Sequence, residues 1–298
     1  MSHGLRGAAA AFASSEPAAA EPPREFVFSD ADFRSLVQFA YDQAGIALAD
    51  SKRNLIYSRL SRRLRALGLN TFREYREFLS ANESELEAFI NAISTNLTKF
   101  FREAHHFDHF HARVAVPFAH AAQKATGCRL RVWSAGCSTG EEPYSIAVVL
   151  KREIRDIGRQ DVRILATDID TEVIAKGARG EYPENSIEEV PDGYRRFFQS
   201  AGARAAAKII VDDEVRSLIA FRHLNLLTTP WPFRGQFDAI FCRNVMIYFD
   251  AATKSTLVER FTEHIKPGGW LYIGHSESLI GLHPGLQLVG RTVYQRES

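Results

Sequence analysis

Val132 to Ser145 reads VWSAGCSTGEEPYS, and the fold turns on how this stretch is understood. An apolar, β-prone run stops at Ala135, Gly136 and Gly140 follow, and two glutamates open the next segment. Strand, glycine turn and helix in that order are the first unit of a doubly wound α/β sheet, whose ligands bind beyond the carboxyl ends of the strands. The turn has neither the lysine nor the Ser/Thr of a P-loop, so nucleoside triphosphate binding is unsupported. Nor is it G-x-G-x-x-G, because Ser138 stands where the second glycine belongs. Glu141 and Glu142 would repel a pyrophosphate and suit a cationic or neutral ligand with sugar hydroxyls. Glutamates also favour a helix N-terminus through the macrodipole alone, and that plainer account competes more strongly for Glu142 than for Glu141.

Downstream the rhythm repeats. VRILATD, SLIAFRHL, FDAIFCRN and WLYIGHS alternate with helical segments, which predicts βαβ units and a mostly parallel sheet. LQLVGRTVYQR predicts an edge hairpin. The second strand ends in ATDID, where Asp168 is the candidate for a ribose and Asp170 reads as a helix N-cap. S-adenosylmethionine fits such a site: a sulfonium, a ribose and an adenine, with no phosphate. Residues 180–217, with Pro183, Pro191 and the short run KIIV, read as a small inserted subdomain.

Upstream the period is helical. DADFRSLVQFAYDQAG and SKRNLIYSRLSRRLRALGL carry apolar stripes that stop at Gly45 and Gly68. The expected organisation is a tail at 1–27, a helical domain at 28–97 and the α/β domain at 98–298. The chain has 298 residues, a formal charge of +1 and three cysteines without CxxC spacing. These values predict free thiols in a cytoplasmic protein with no global pull toward nucleic acid. No apolar run reaches bilayer length.

The blocks ISTNLTKFFREAHHF, WSAGCSTGEEPYSIA, ATDID, NLL and FDAIFCRNVMIYFD, in that order, resemble the chemotaxis receptor methyltransferases from about Phe28 onward. The resemblance implies S-adenosylmethionine as cofactor and glutamates on bacterial chemoreceptors as acceptors. It implies that Asn96, Thr98 and Arg102 close over the cofactor, with Glu141 at the turn and Asp168 at the ribose. It puts Asn225 and Leu226 near the adenine, Arg243 and Asn244 at the methionine end, and Tyr248 on the acceptor side.

A glutamate with an ordinary pKa of about 4.3 is already ionised at neutral pH. It needs alignment in a partly dry pocket, not a general base. Arg102 is the candidate grip for that carboxylate, and Tyr248 could orient one oxygen. Lys52, Arg53, Arg59, Arg62, Arg63 and Arg65 fall in residues 51–66 with no acid among them. On a helix Lys52, Arg59, Arg62 and Arg63 share one flank, and Arg59, Arg62 and Arg63 are expected to dock glutamate-rich receptor helices. Some family members tether a receptor peptide with a glycine-rich loop of the insert. Here QSAGARAAAK has one glycine, Gly202, so the resemblance gives tethering no support. HHFDHFH offers no third ligand in the right place, and no metal is expected. Cys137 and Cys242 read as small apolar packing groups. The rival readings are a methyltransferase acting on RNA or a small molecule, and a non-catalytic cofactor-sensing module.

Overall fold

The computed structural model describes residues 24–201, 208–279, 281 and 284–297. Four helices come first: α1 (Asp30–Ala44), α2 (Arg53–Leu67), α3 (Phe72–Ala81) and α4 (Glu83–Ile93). Their ends follow local chemistry. Ser29 with Asp32, and Thr71 with Glu74, form reciprocal capping boxes that satisfy orphan backbone N–H groups. Gly45 and Gly68 close α1 and α2 at φ 66° and 68°, a conformation open to glycine because it has no Cβ. The predicted stripes meet in a core that includes Phe33, Leu36, Ile56, Leu60, Leu64 and Phe89. Phe26 corrects one boundary. It falls in the expected tail, yet it is buried edge-on against Phe72, so the helical domain starts upstream of residue 28.

Next, α5 (His105–Phe110) passes through a π turn (His111–Ala115) into α6 (Val116–Ala122). The sheet then opens with β1 (Arg129–Ala135), α7 (Glu141–Glu153), β2 (Asp161–Asp168) and α8 (Thr171–Arg179). The insert follows as β3 (Glu181–Pro183), α9 (Asp192–Arg195), β4 (Phe198–Ser200), β5 (Lys208–Val211) and α10 (Asp213–Arg216). It folds as a separate antiparallel sheet in the order β3–β5–β4. The main sheet resumes with β6 (Ile219–His223), β7 (Phe237–Cys242), α11 (Ala251–His264), β8 (Ile265–Ile273), β9 (Leu286–Gly290) and β10 (Val293–Arg296).

Its order is β6–β2–β1–β7–β8–β10–β9. The first five are parallel; β10 pairs antiparallel with both β8 and β9. The five predicted apolar runs are those five parallel strands, and the C-terminal hairpin sits at the edge. Val132, Ile164 and Ala239 at the centre are fully buried, as expected of strands covered on both faces. β2 and β7 flank β1 on opposite sides, so the strand order reverses at β1. The register sets Ala135 beside Thr167 and Ser134 beside Phe241. The ends of β1, β2 and β7 therefore lie level, and a crevice opens above them. No helix among the described residues is long and apolar enough to cross a membrane. The stretch Gly202–Ala207, on which the tether expectation rests, lies outside the described residues.

Candidate functional site

A cavity of about 280 Å³ occupies that crevice. The sheet contributes Gly136, Ser138, Glu142, Asp168, Arg243 and Asn244 to its wall. The segment joining the two domains contributes Asn96, Leu97, Thr98, Lys99 and Arg102, and the loops after β6 and β7 add Asn225, Leu226 and Tyr248. All the predicted cofactor residues except Glu141 meet here. The roof is made by the helical domain, through Ile46, Ala47, Leu48, Lys52, Leu55 and Ile56. That half of the wall has no motif to announce it. It is positioned by bonds between the domains: Ala47 N–H donates to Tyr248 O at 2.9 Å, and the Asn225 amide donates to Gln43 O at 3.3 Å.

The glycine turn is shaped by Asp168. One carboxylate oxygen accepts from Ser138 N–H at 2.8 Å and the other from Asp170 N–H at 3.0 Å. Burial pushes the Asp168 carboxyl up, while these N–H groups pull it back. A carboxylate has about four acceptor sites, so Asp168 is not saturated by these contacts. Asp170 is the predicted N-cap, accepting from Glu172 and Val173 N–H, and its other oxygen accepts from the Asn96 amide at 2.7 Å. The glycines themselves do not cradle a phosphate. Gly136 has φ 82°, and a Cβ there would lie 2.2 Å from Val245 Cγ2. At Gly140, φ 98°, it would lie 2.8 Å from the Tyr182 hydroxyl. Protein side chains fill both spaces.

The two glutamates separate. Glu142 lines the cavity; it accepts from Ser134 Oγ at 2.7 Å and pairs with Arg243 at 3.0 Å. Burial pushes its carboxyl up against the pull of Arg243. Glu141 corrects the expectation: it is not part of the wall, and its carboxylate accepts from Thr139 Oγ1 at 2.6 Å. Consecutive helical side chains point about 100° apart, so one of the pair faces the cavity and the other turns away. The macrodipole account suited Glu142 better in sequence, and the packing reverses that.

Arg243 is 3% exposed at its side chain, held between Glu142 and Glu103, and donates also to the Arg102 carbonyl. No local pattern announces Glu103 as its partner. Arg102 donates to Leu97 O at 2.8 Å. Asn244 takes φ 59°, and its N–H donates to Glu277 at 3.0 Å. Glu277 also accepts from Gly274 N–H at 2.5 Å and Ile247 N–H at 3.2 Å. His275 to Glu277 therefore form a turn beyond β8 that braces the end of β7. Burial raises the Tyr248 phenol, which keeps its O–H as a donor at neutral pH. Cys137 and Cys242 are buried as expected.

The arginines of α2 are less free than their sequence implies. Arg63 forms a two-pronged pair with the buried Glu85, at 2.9 and 2.6 Å. Asp30 pairs with Arg53, and Glu25 with Arg65. The balancing acids come from distant segments, so a local count overstated the field. Arg63 is thus a structural group and not an open docking site. Arg59 donates to the carbonyls of Ala92 and Ser94. Arg62 is exposed and has no ion pair among the described residues. His105 and His109 do not converge on an ion site: His105 faces Arg291 O at 3.2 Å and His109 faces the Tyr272 hydroxyl at 3.0 Å.

The donor set fits S-adenosylmethionine. Asp168 retains open lone pairs, Asn96 and Asn225 offer amides, Leu226 and Ile46 are apolar, and no lysine-bearing glycine loop awaits a phosphate. Comparison with known proteins agrees. Residues 96–294 match the family described as CheR methyltransferase, SAM binding domain, and residues 31–94 match CheR methyltransferase, all-alpha domain. Chemotaxis protein methyltransferase 2 of Pseudomonas aeruginosa is 43% identical over 274 residues, 91% of this chain and 95% of that protein. The chemotaxis protein methyltransferase of Salmonella typhimurium is also 43% identical, over 91% of this chain and 92% of its own. That of Escherichia coli is 44% identical over 89% and 91%. With both domains matched in order and the predicted parallel sheet in place, this chain belongs to the CheR methyltransferase family.

Proposed function

We propose that this chain methylates glutamate side chains of bacterial chemoreceptors, forming glutamyl methyl esters, and does so in the cytoplasm. The observation that carries the reading is a cavity at the strand ends whose wall combines acidic and amide groups with Arg102 and Tyr248. The names of the similar proteins support chemoreceptors as the substrate class. When bound, S-adenosylmethionine supplies an electrophilic methyl group on a sulfonium. Asn96, Thr98, Asp168, Asn225, Leu226, Arg243 and Asn244 would hold it; Glu141 stands one residue outside this wall.

The residues of the chain then have to align an acceptor that is already charged. Arg102 would grip the incoming carboxylate, because a guanidinium matches its two oxygens with parallel N–H donors. Its grip must be partial, since an interaction equally strong in ground and transition states adds nothing to turnover. The Leu97 carbonyl already takes one Arg102 N–H, which leaves fewer donors for the acceptor. The Tyr248 hydroxyl would orient an oxygen without neutralising it. The roof from the helical domain covers part of the cavity.

The reading is tested by mass spectrometry of a receptor cytoplasmic fragment incubated with the protein and S-adenosylmethionine. The expected result is one added methyl per modified glutamate, released as methanol in mild base. Base-stable methylation, or methylation of RNA in place of the fragment, would contradict it.

A further inference from the structure

Arg102 lies between two residues with left-handed backbone: Phe101 at φ 51° and Glu103 at φ 58°. Neither is glycine. Side chains keep this conformation only where their surroundings impose it, and such strain collects at functional sites. Phe101 is pinned on its own side, with its N–H donating to Ser145 Oγ at 3.0 Å and its ring stacked on Tyr194 at 4.9 Å. Glu103 is pinned by its carboxylate, which is 11% exposed. One oxygen accepts from His275 N–H at 3.4 Å and faces His275 Nδ1 at 3.0 Å. The other lies 3.4 Å from Arg243 Nη2 and 3.5 Å from His106 Nδ1. Arg243 closes the ring by donating to the Arg102 carbonyl.

We propose that Glu103 is a positioning residue, whose grip on Arg243 and His275 holds the strained turn 101–103 so that the Arg102 guanidinium faces the cavity. The inference rests on the reading of Arg102 as the group that meets the acceptor. Arg243, not His106, supplies the compensating charge, because burial pushes the His106 imidazole down to about 3. Glu103, His105 and His106 also bring three ligand atoms within 4.8 Å of one another. A divalent ion is opposed there by the Arg243 cation, 3.4 Å from the same carboxylate. Ion pairing that anchors a turn is the role the cluster fits.

The test is a double-mutant cycle on turnover with a receptor cytoplasmic fragment. Glu103→Gln keeps the shape and removes the charge, and turnover is expected to fall about 10- to 100-fold, the scale of a misplaced catalytic group. In an Arg102→Ala background the same change is expected to alter turnover less than about 2-fold, because no guanidinium remains to be placed. Additive losses in the two backgrounds, or a Glu103→Gln enzyme above half of wild-type turnover, would overturn the proposal. A second readout does not need turnover. The Arg102 Nε–H resonance is expected to be dispersed in the wild type and to move to the free-arginine position in Glu103→Gln; an unmoved resonance also overturns it. If the wild-type chain transfers no methyl group at all, the functional reading fails, and the resonance still decides the positioning.

Discussion

Asp168 braces the glycine turn through Ser138 and Asp170 N–H, and on the proposed reading the same carboxylate would also meet the ribose. Replacing it by alanine is expected to weaken binding of S-adenosylhomocysteine about 10- to 100-fold by calorimetry, the equivalent of losing hydrogen bonds to a charged group. Tyr248→Phe should behave differently: on the proposed reading the hydroxyl meets the acceptor, so turnover is expected to fall while S-adenosylhomocysteine affinity holds. His106 sets a pH dependence. Its ring is fully buried and its pKa is pushed down to about 3, chiefly by burial and then by Arg243 and His105, with Glu103 opposing. An unfolded histidine titrates near 6.5. Between about pH 6.5 and 3 the unfolded chain therefore binds the extra proton, and stability from this residue is lost as pH falls. Thermal melts should show a shallower loss between pH 6.5 and 5 for His106→Asn than for the wild type, by on the order of 2 kcal/mol at most.

At the scale of elements, the helix ends at Gly45, Gly68 and Asp170 were legible because caps are local: each acts on N–H or C=O groups within a turn of itself. The capping boxes at Ser29 and Thr71 are equally local, and the structure shows them. The charge of α2 was not legible, because Glu85, which neutralises Arg63, comes from α4. This divides the arginines into two experiments. Arg63→Ala is expected to lower stability by roughly 1–3 kcal/mol in urea, since it leaves the buried Glu85 carboxylate with only the Tyr75 hydroxyl as a side-chain partner among the described residues. Arg62→Glu is expected to leave stability alone and to raise the KM for a receptor fragment at low salt. That difference should shrink as ionic strength rises and screening shortens the field. A salt-independent KM would remove Arg62 from the docking surface.

Across the whole molecule the cavity exists only because two domains meet. Tyr41 bonds Asp250, Ala47 bonds Tyr248, Asn91 bonds Thr171 and Asn96 bonds Asp170, each pair joining the helical half or its connecting segment to the sheet half. Gly45 sits on that seam. It caps α1 at φ 66°, and a Cβ there would lie 2.2 Å from Leu227 Cδ1 and 3.6 Å from Phe249. Gly45→Ala is therefore expected to cost about 1–2 kcal/mol from the left-handed backbone before any clash. It should also weaken S-adenosylhomocysteine binding, because the seam forms the roof. Denaturant melts and calorimetry on the same variant check both.

The sequence alone determined the strand–turn–helix unit at Val132–Ser145, the parallel strands, the helical domain and the lack of a phosphate loop. These depend on periods of 2 and 3.6 residues and on turn chemistry, which contiguous residues dictate. Tertiary structure decided that Glu142 and not Glu141 faces the cavity, and that Gly136 and Gly140 make room for Val245 and Tyr182. It also decided that Arg243 is clamped by Glu103 and Glu142. Each of those outcomes joins groups far apart in the chain. Which partner a buried charge finds is set by packing and desolvation once the strands are aligned, and no local pattern records it.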